Sequence, residues 1–240
     1  MTDRSAAGSE QPTVAAVIPA LDEAGNIAVV VAETLAVVDL VVVADNGSTD
    51  GTAAVAREAG AIVATEARRG YGFACAAGSV AAIGKGADVI VYLDGDGSTV
   101  PSEVVQVVGP VLAGEADLVL GSRITERLEP GAMPPHQRFG NWLSAWLMRR
   151  LYGIDVSDLG PFRAIRSELL TELSMTEMTF GWPTEMTVKT ARRGATIVEV
   201  PVTWRRRGEG RSKVSGTVKG SILAARYILG VTVRHARAAS

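Results

Sequence analysis

The chain is predicted to be an α/β protein with a mostly parallel central sheet flanked by helices. Two observations predict it. Apolar, β-branched runs of four to seven residues recur through the first half, and stretches of helical composition separate them. Such alternation implies strand–helix–strand crossovers with helices on both faces of a sheet. A length of 240 residues fits one large domain, and 47% hydrophobic against 21% charged residues is the composition of a chain that folds around a core.

The elements follow in order. Residues 1–12 (MTDRSAAGSEQP) read as a disordered leader, and Val14–Ile18 is the first strand, closed by Pro19. Residues 25–38 (GNIAVVVAETLAVV) are helical in composition. Leu40–Ala44 is the second strand and Asp50–Gly60 the helix after it. Ala61–Thr65, Gly72–Gly84, Ala87–Leu93, Pro101–Ala113 and Asp117–Leu120 continue the alternation, ending on a fifth strand. The second half is less regular. Residues 122–137 carry Pro, Gly and charge and read as a long loop, and Phe139–Leu151 is a helix with an aromatic stripe at Phe139, Trp142 and Trp146. A short strand at Gly160–Ile165, a helix at Trp182–Arg193 and a strand at Thr196–Val200 lead to a basic loop, TWRRRGEGRSK, at 203–213. Residues 216–234 form an amphipathic helix, suited either to a membrane surface or to packing on the sheet.

Composition removes several classes. Cys75 is the one cysteine, so no intramolecular disulfide forms, and His136 and His235 are too far apart in sequence for a Cys/His zinc site. The longest charge-free run, Gly70–Gly84, is 15 residues and too short to span a bilayer. With no signal-peptide core after the polar start, the expectation is a cytoplasmic protein, peripheral at the inner membrane face if it meets lipid. Charge is uneven: residues 1–120 hold 5 Lys/Arg against 16 Asp/Glu (−11), and residues 121–240 hold 19 against 10 (+9). An acidic half suits a divalent cation and a basic half suits phosphates or anionic lipid; solvated surface charge is the plainer reading.

Ligands of open α/β sheets bind beyond the carboxyl ends of the strands. Asp22 and Glu23 follow the first strand, Asp45 the second, and Asp94 and Asp96 the fourth. In Asp94-Gly95-Asp96-Gly97-Ser98, two carboxylates in a glycine-flanked turn can converge on Mg²⁺ or Mn²⁺, with diphosphate oxygens completing the shell. An ordinary Asp-Gly turn is the other reading. Arg205, Arg206, Arg207, Arg211 and Lys213 crowd into nine residues, and such forks and point charges suit phosphate oxygens.

Seven ordered blocks carry a more specific signal: AAVIPALDEAGNI (15–27), VVVADNGSTDGT (41–52), RRGYGFACAAG (68–78), VIVYLDGDGST (89–99), GSR (121–123), DLGPFRAIR (158–166) and VPVTWRRRGEGRSKVS (200–215). Together they resemble family-2 glycosyltransferases of GT-A fold, and most nearly the dolichol-phosphate or polyprenyl-phosphate mannose or glucose synthases. The resemblance implies a domain over 13–215, with nucleotide-sugar half 13–121 and acceptor half 122–215. It implies that Pro19, Ala20, Leu21 and Glu23 line the nucleoside and that Asp45 contacts base or ribose. Asn46 stands where the family often has a second acid. It implies that Gly70 and Gly95 border the nucleotide-sugar, that Asp94 and Asp96 hold the metal and diphosphate, and that Ser98, where related synthases carry Gln, is the third ligand. Arg123 matches a basic residue after the fifth strand. Arg211, Ser212 and Lys213 match the loop that closes over donor and acceptor phosphates. Asp158, or Glu185 as a second candidate, would serve as base for a hydroxyl acceptor, although Gly160-Pro161-Phe162 departs from the usual Ser-Gly-Phe. The implied activity is metal-dependent, inverting hexosyl transfer from a UDP- or GDP-sugar to a polyprenyl phosphate or, alternatively, to a soluble hydroxyl.

The rival readings are weaker. Gly70-Tyr71-Gly72 before a helix hints at an NAD(P) fingerprint, but Cys75 occupies the third glycine position and the first strand lacks the motif. No GxxxxGK[ST] occurs, which removes a P-loop kinase. A nucleic-acid partner leaves the acidic strand ends unexplained.

Overall fold

The computed structural model describes residues 11–124, 126–207, 226, 230–232 and 234. Strands β1 (Val14–Ala20), β2 (Leu40–Asp45), β3 (Ile62–Thr65), β4 (Val89–Tyr92) and β5 (Leu118–Ser122) alternate with helices α1 (Ile27–Leu35), α2 (Thr52–Glu58), α3 (Tyr71–Ile83) and α4 (Val104–Leu112). Then follow α5 (Pro135–Tyr152), β6 (Arg163–Arg166), α6 (Ser167–Leu173), α7 (Trp182–Arg192) and β7 (Ile197–Pro201). The seven strands form one sheet in the order β3-β2-β1-β4-β6-β5-β7. Every pairing is parallel except those of β6, which runs against both β4 and β5.

The central strands are buried on both faces because most of their side chains are Val, Ile and Ala, as a sheet covered twice requires. One core lies under α1 and α4, with Ile18, Ile27, Val31 and Val107, and the other under α3, α5 and α7, with Val17, Ile90, Met148 and Met186. Helix α3 sits close on β1: a Cβ at Gly78 would stand 2.5 Å from Val17 Cγ1.

The reversal of β6 serves the site. Strands β4 and β5 both end at the carboxyl rim, and after α5 the chain enters β6 from that same rim, with Arg163 opposite Tyr92 and Arg166 opposite Val89. Residues 157–162 are thereby delivered beside the end of β4.

The first half matches expectation to within a few residues per element. Three differences fall in the second half. The presumed 122–137 loop ends earlier, because Pro135 opens α5, as proline does at a first helical turn. The strand placed at Gly160–Ile165 is Arg163–Arg166, and α6 follows it without a loop. Of the helix expected at 216–234, residues 226, 230–232 and 234 are described and are helical; the rest, with Arg211, Ser212 and Lys213, lies outside the described residues. Most of the 1–12 leader lies outside them too.

Candidate functional site

Two loops at the rim are laced together first. Asp22, at φ 50°, accepts from the Thr49 backbone N–H at 2.8 Å, and Ser48 Oγ accepts from the Asp22 N–H at 2.9 Å. Thr52 Oγ1 accepts from the Glu23 N–H at 2.8 Å, while Asp50 takes the Thr52 hydroxyl and the Ala24 N–H. The turn after β2 thus fixes the turn after β1, and both carry buried acids, Glu23 and Asp45, at the rim. Pro19 and Leu21 are half-buried and Ala20 is buried on the same edge.

Asn46 ties in a third loop. Its buried amide donates to the carbonyls of Glu66 (3.1 Å) and Arg68 (2.7 Å), and its oxygen accepts from the Gly70 N–H (2.9 Å). An aspartate could not make the two donations. Gly70 precedes α3 at φ 152°, and a Cβ there would lie 2.4 Å from the Met178 carbonyl oxygen. No side chain fits.

The acid pair follows β4. Asp94 and Asp96 are half-buried, and Gly95 between them is buried against Ile18 and Ile27. Burial and the neighbouring Asp96 push Asp94 up to about 7, against the pull of Arg123 and Arg207. Ser98 turns back onto Asp96, with Oγ at 2.5 Å and N at 2.9 Å from Oδ1. The hydroxyl expected as a metal ligand thus donates its proton to Asp96 and orients that carboxylate, while its oxygen lone pairs stay open to a cation. Asp96 Oδ2 meets Arg207 at 2.9 Å, and the other arm of that guanidinium meets Glu23 at 2.6 Å. Arg207 thus clamps the ends of β1 and β4 together, a positive group set between carboxylates.

Residues 203–207 reach the rim by backbone pairing. Thr99 and Leu128 each bridge to Trp204, and the Arg205 N–H donates to the Ser98 carbonyl at 2.9 Å. The Trp204 ring lies 4.9 Å from the Arg123 guanidinium, a cation–π contact. Arg123 pairs with fully buried Asp158 through its Nε (2.6 Å), Nη2 (2.8 Å) and backbone N–H (2.9 Å). Burial favours the neutral form of Asp158, but these contacts outweigh it and hold the carboxyl below the usual carboxylate range. A Cβ at Gly160 would stand 2.9 Å from Arg123 Nε, so the departure from Ser-Gly-Phe makes room for this pair. Arg163, also buried, donates to the Gly160 and Pro183 carbonyls and fixes the same loop.

Glu185 is likewise committed. Its oxygens accept from Thr176, Glu177 and Lys189, clamping α7 to the 174–178 segment. The rim therefore gathers Glu23, Asp45, Gly70, Asp94, Asp96, Ser98, Arg123 and Asp158. Arg207, Asn46 and Trp204 are the contributors that motif reading did not assign. Arg207 was visible only as one arginine of a run, and Asn46 only as an amide beside Asp45.

Among the described residues no three His, Cys, Asp or Glu side chains form a ready cage for a metal. The residues nonetheless fit a Mg²⁺ or Mn²⁺ ion of the sort that takes one or two carboxylates and completes its shell with phosphate and water. The geometry shows the fit: Asp94 and Asp96 leave the end of β4 together, and the Arg207 guanidinium already places positive charge between Asp96 and Glu23.

The family model for glycosyl transferase family 2 matches residues 15–174. The chain is 37% identical over 212 residues to an uncharacterized glycosyltransferase of Mycobacterium bovis, covering 88% of this chain and 94% of that one. It is 33% identical over 193 residues to an undecaprenyl-phosphate mannosyltransferase of Micrococcus luteus, covering 75% and 77%. It is 31% identical over 192 residues to a polyprenol monophosphomannose synthase of Mycolicibacterium smegmatis, covering 74% and 71%. Among solved structures, glucosyl-3-phosphoglycerate synthase of Mycobacterium tuberculosis, crystallised with Mn²⁺, UDP and glucosyl-3-phosphoglycerate, superposes with a TM-score of 0.74 at 24% identity, over 94% of this chain and 80% of that one. With the sheet order, the acid pair after β4 and these likenesses in hand, the chain belongs to glycosyl transferase family 2, with a GT-A-like fold.

Proposed function

We propose that this glycosyltransferase moves a hexosyl group from a UDP- or GDP-linked sugar to a polyprenyl phosphate, with inversion, using Mg²⁺ or Mn²⁺. The observation that carries the acceptor class is the state of the two candidate bases. Asp158 is locked to Arg123 and Glu185 to Thr176, Glu177 and Lys189. A hydroxyl acceptor needs a group to take its proton; a phosphate acceptor is already an anion and needs cations to bring it in line. The relatives named as undecaprenyl-phosphate and polyprenol-phosphate mannosyl enzymes support the same reading.

In this reading Pro19, Ala20, Leu21 and Asp45 line the nucleoside, and Gly70, packed against the Met178 carbonyl, borders the donor. Asp94 and Asp96 hold the metal, which supplies positive charge to the departing diphosphate. Ser98 keeps Asp96 oriented. Arg207, with Arg211, Ser212 and Lys213, adds cationic and hydrogen-bonding groups toward the phosphates. Asp158 positions Arg123, whose charge faces the acceptor side. Donor screening tests this directly: nucleoside diphosphate release should appear with one UDP- or GDP-sugar and rise when a short polyprenyl phosphate is added. Release stimulated instead by soluble hydroxyl acceptors would overturn the acceptor assignment.

A further inference from the structure

Helix α5 is built the wrong way round for a helix that merely packs on a sheet. Its inward side carries Ser144 and Met148, both buried, with Asn141 and Tyr152 half-buried. Its outward side carries Phe139, Trp142 and Trp146, with 63%, 60% and 49% of their surface exposed. At a hundred degrees per residue these three fall within roughly a sixth of a turn, one continuous aromatic face. The Phe139 and Trp142 rings already lie 5.7 Å apart. Aromatic side chains bury about 150–250 Å² each when covered, so the stripe leaves on the order of 300 Å² of apolar surface in water, the size of a functional patch.

Charge says what covers it. Among residues 135–152 there is no Asp or Glu, while Arg138, Arg149 and Arg150 stand exposed around the stripe. Arg149 reaches Asp155 just past the helix. A tryptophan-rich face rimmed by arginines matches the boundary between acyl chains and anionic headgroups, where rings enter and long cationic side chains stay with the phosphates. No described helix is long and apolar enough to cross a membrane. The described C-terminal residues do not account for the stripe: Tyr152 donates to the Thr232 carbonyl, and Tyr152 lies roughly a third of a turn round α5 from Trp146.

We propose that the outward face of α5 rests on an anionic lipid bilayer. Helix α5 is tethered to the rim at both ends, between Arg123 after β5 and Asp158 before β6, and Ser122 and Ser157 hydroxyls meet at 2.7 Å across its base. Docking through this face would bring the segments that flank α5, and with them Arg123 and Asp158, near the surface that would hold a polyprenyl phosphate. Its catalytic meaning rests on the proposed acceptor; the docking itself does not.

The full-length protein is tested on phosphatidylcholine vesicles with and without phosphatidylglycerol. Trp182 and Trp204 are buried, so a vesicle-induced emission shift and quenching by brominated lipid report Trp142 and Trp146. The wild type should float with anionic vesicles and bind weakly to neutral ones. The variant Phe139→Gln, Trp142→Gln, Trp146→Gln should lose vesicle binding while keeping its melting temperature and its transfer to a water-soluble short-chain prenyl phosphate. Replacing Arg138, Arg149 and Arg150 with Gln should weaken binding about fivefold per arginine and flatten its salt dependence. The proposal fails if the aromatic variant floats as the wild type does. It also fails if acrylamide cannot reach the exposed tryptophans before lipid is added, which would mean the chain's own C-terminal segment or, with concentration-dependent sedimentation, a second copy covers them. Vesicle binding without any sugar transfer would remove the acceptor reading and leave docking intact; transfer to short soluble prenyl phosphates without vesicle binding would do the reverse.

Discussion

Replacing Asp158 with Asn keeps the side chain's shape and removes its charge. Asp158 is fully buried and accepts three hydrogen bonds from Arg123, whose side chain is itself only 14% exposed. The variant leaves a guanidinium buried beside an amide that offers one acceptor and turns its own donors toward another donor. Removing one member of a buried pair costs about 3–5 kcal/mol. For a chain of this length each kcal/mol moves Tm by roughly 2–4 °C, so a fall of about 6–20 °C is expected. The sign with pH is fixed as well. Asp158 titrates below its unfolded value, so its stabilisation is complete above the ordinary carboxylate range and fades as pH falls through the lower folded value. The gap between wild type and variant in thermal melts should therefore close on acidification. Adding Arg123→Met to Asp158→Asn should restore part of the lost Tm, because the orphaned charge is gone, without restoring turnover. A variant that melts with the wild type but has lost kcat would refute this account and make Asp158 the base.

Other outcomes follow from the same geometry. Mn²⁺ affinity should rise by up to tenfold per pH unit below about 7 and level off above it, because the metal must displace the Asp94 proton; in Asp94→Asn titration calorimetry should find weak, pH-flat binding. Without metal, the raised Asp94 makes the folded protein lose stability as pH climbs from about 4 to about 7, and Asp94→Asn should remove that decline in melting experiments. Replacing Arg207 with Met should tighten Mn²⁺ binding in the absence of nucleotide, by about tenfold, since a cation competing for Asp96 and Glu23 is gone, while transfer slows. Asn46→Asp strips the Glu66 and Arg68 carbonyls of their donors and should cost about 1–3 kcal/mol in urea unfolding; donor KM should rise more than kcat falls.

The first half was legible because its physics is local. Short β-branched runs such as Leu40–Ala44, set between Asp39 and Asp45-Asn46-Gly47, suit buried strands, and Asp94-Gly95-Asp96 announces a tight acidic turn from spacing alone. What escaped depends on contacts far apart in sequence. Arg207 meets Glu23 across 184 residues, and Asn46 reaches the loop before Gly70 across 24; neither partner leaves a periodicity to read. Motif position offers Asp158 as a base but says nothing of Arg123, 35 residues earlier, turning its guanidinium onto it. The start of α5 at Pro135 was hidden because Pro, Gly and charge before it look like loop, although proline suits a first helical turn.

Binding of UDP and GDP measured with Mn²⁺, with Mg²⁺ and with chelator, in the wild type and in Asp96→Asn, bears most directly on the assignment of the acid pair. Tight nucleoside diphosphate binding that needs the divalent ion, and that vanishes in the variant, is the expected result. Equal binding with chelator present, or a variant that binds metal and nucleotide as the wild type does, would contradict it.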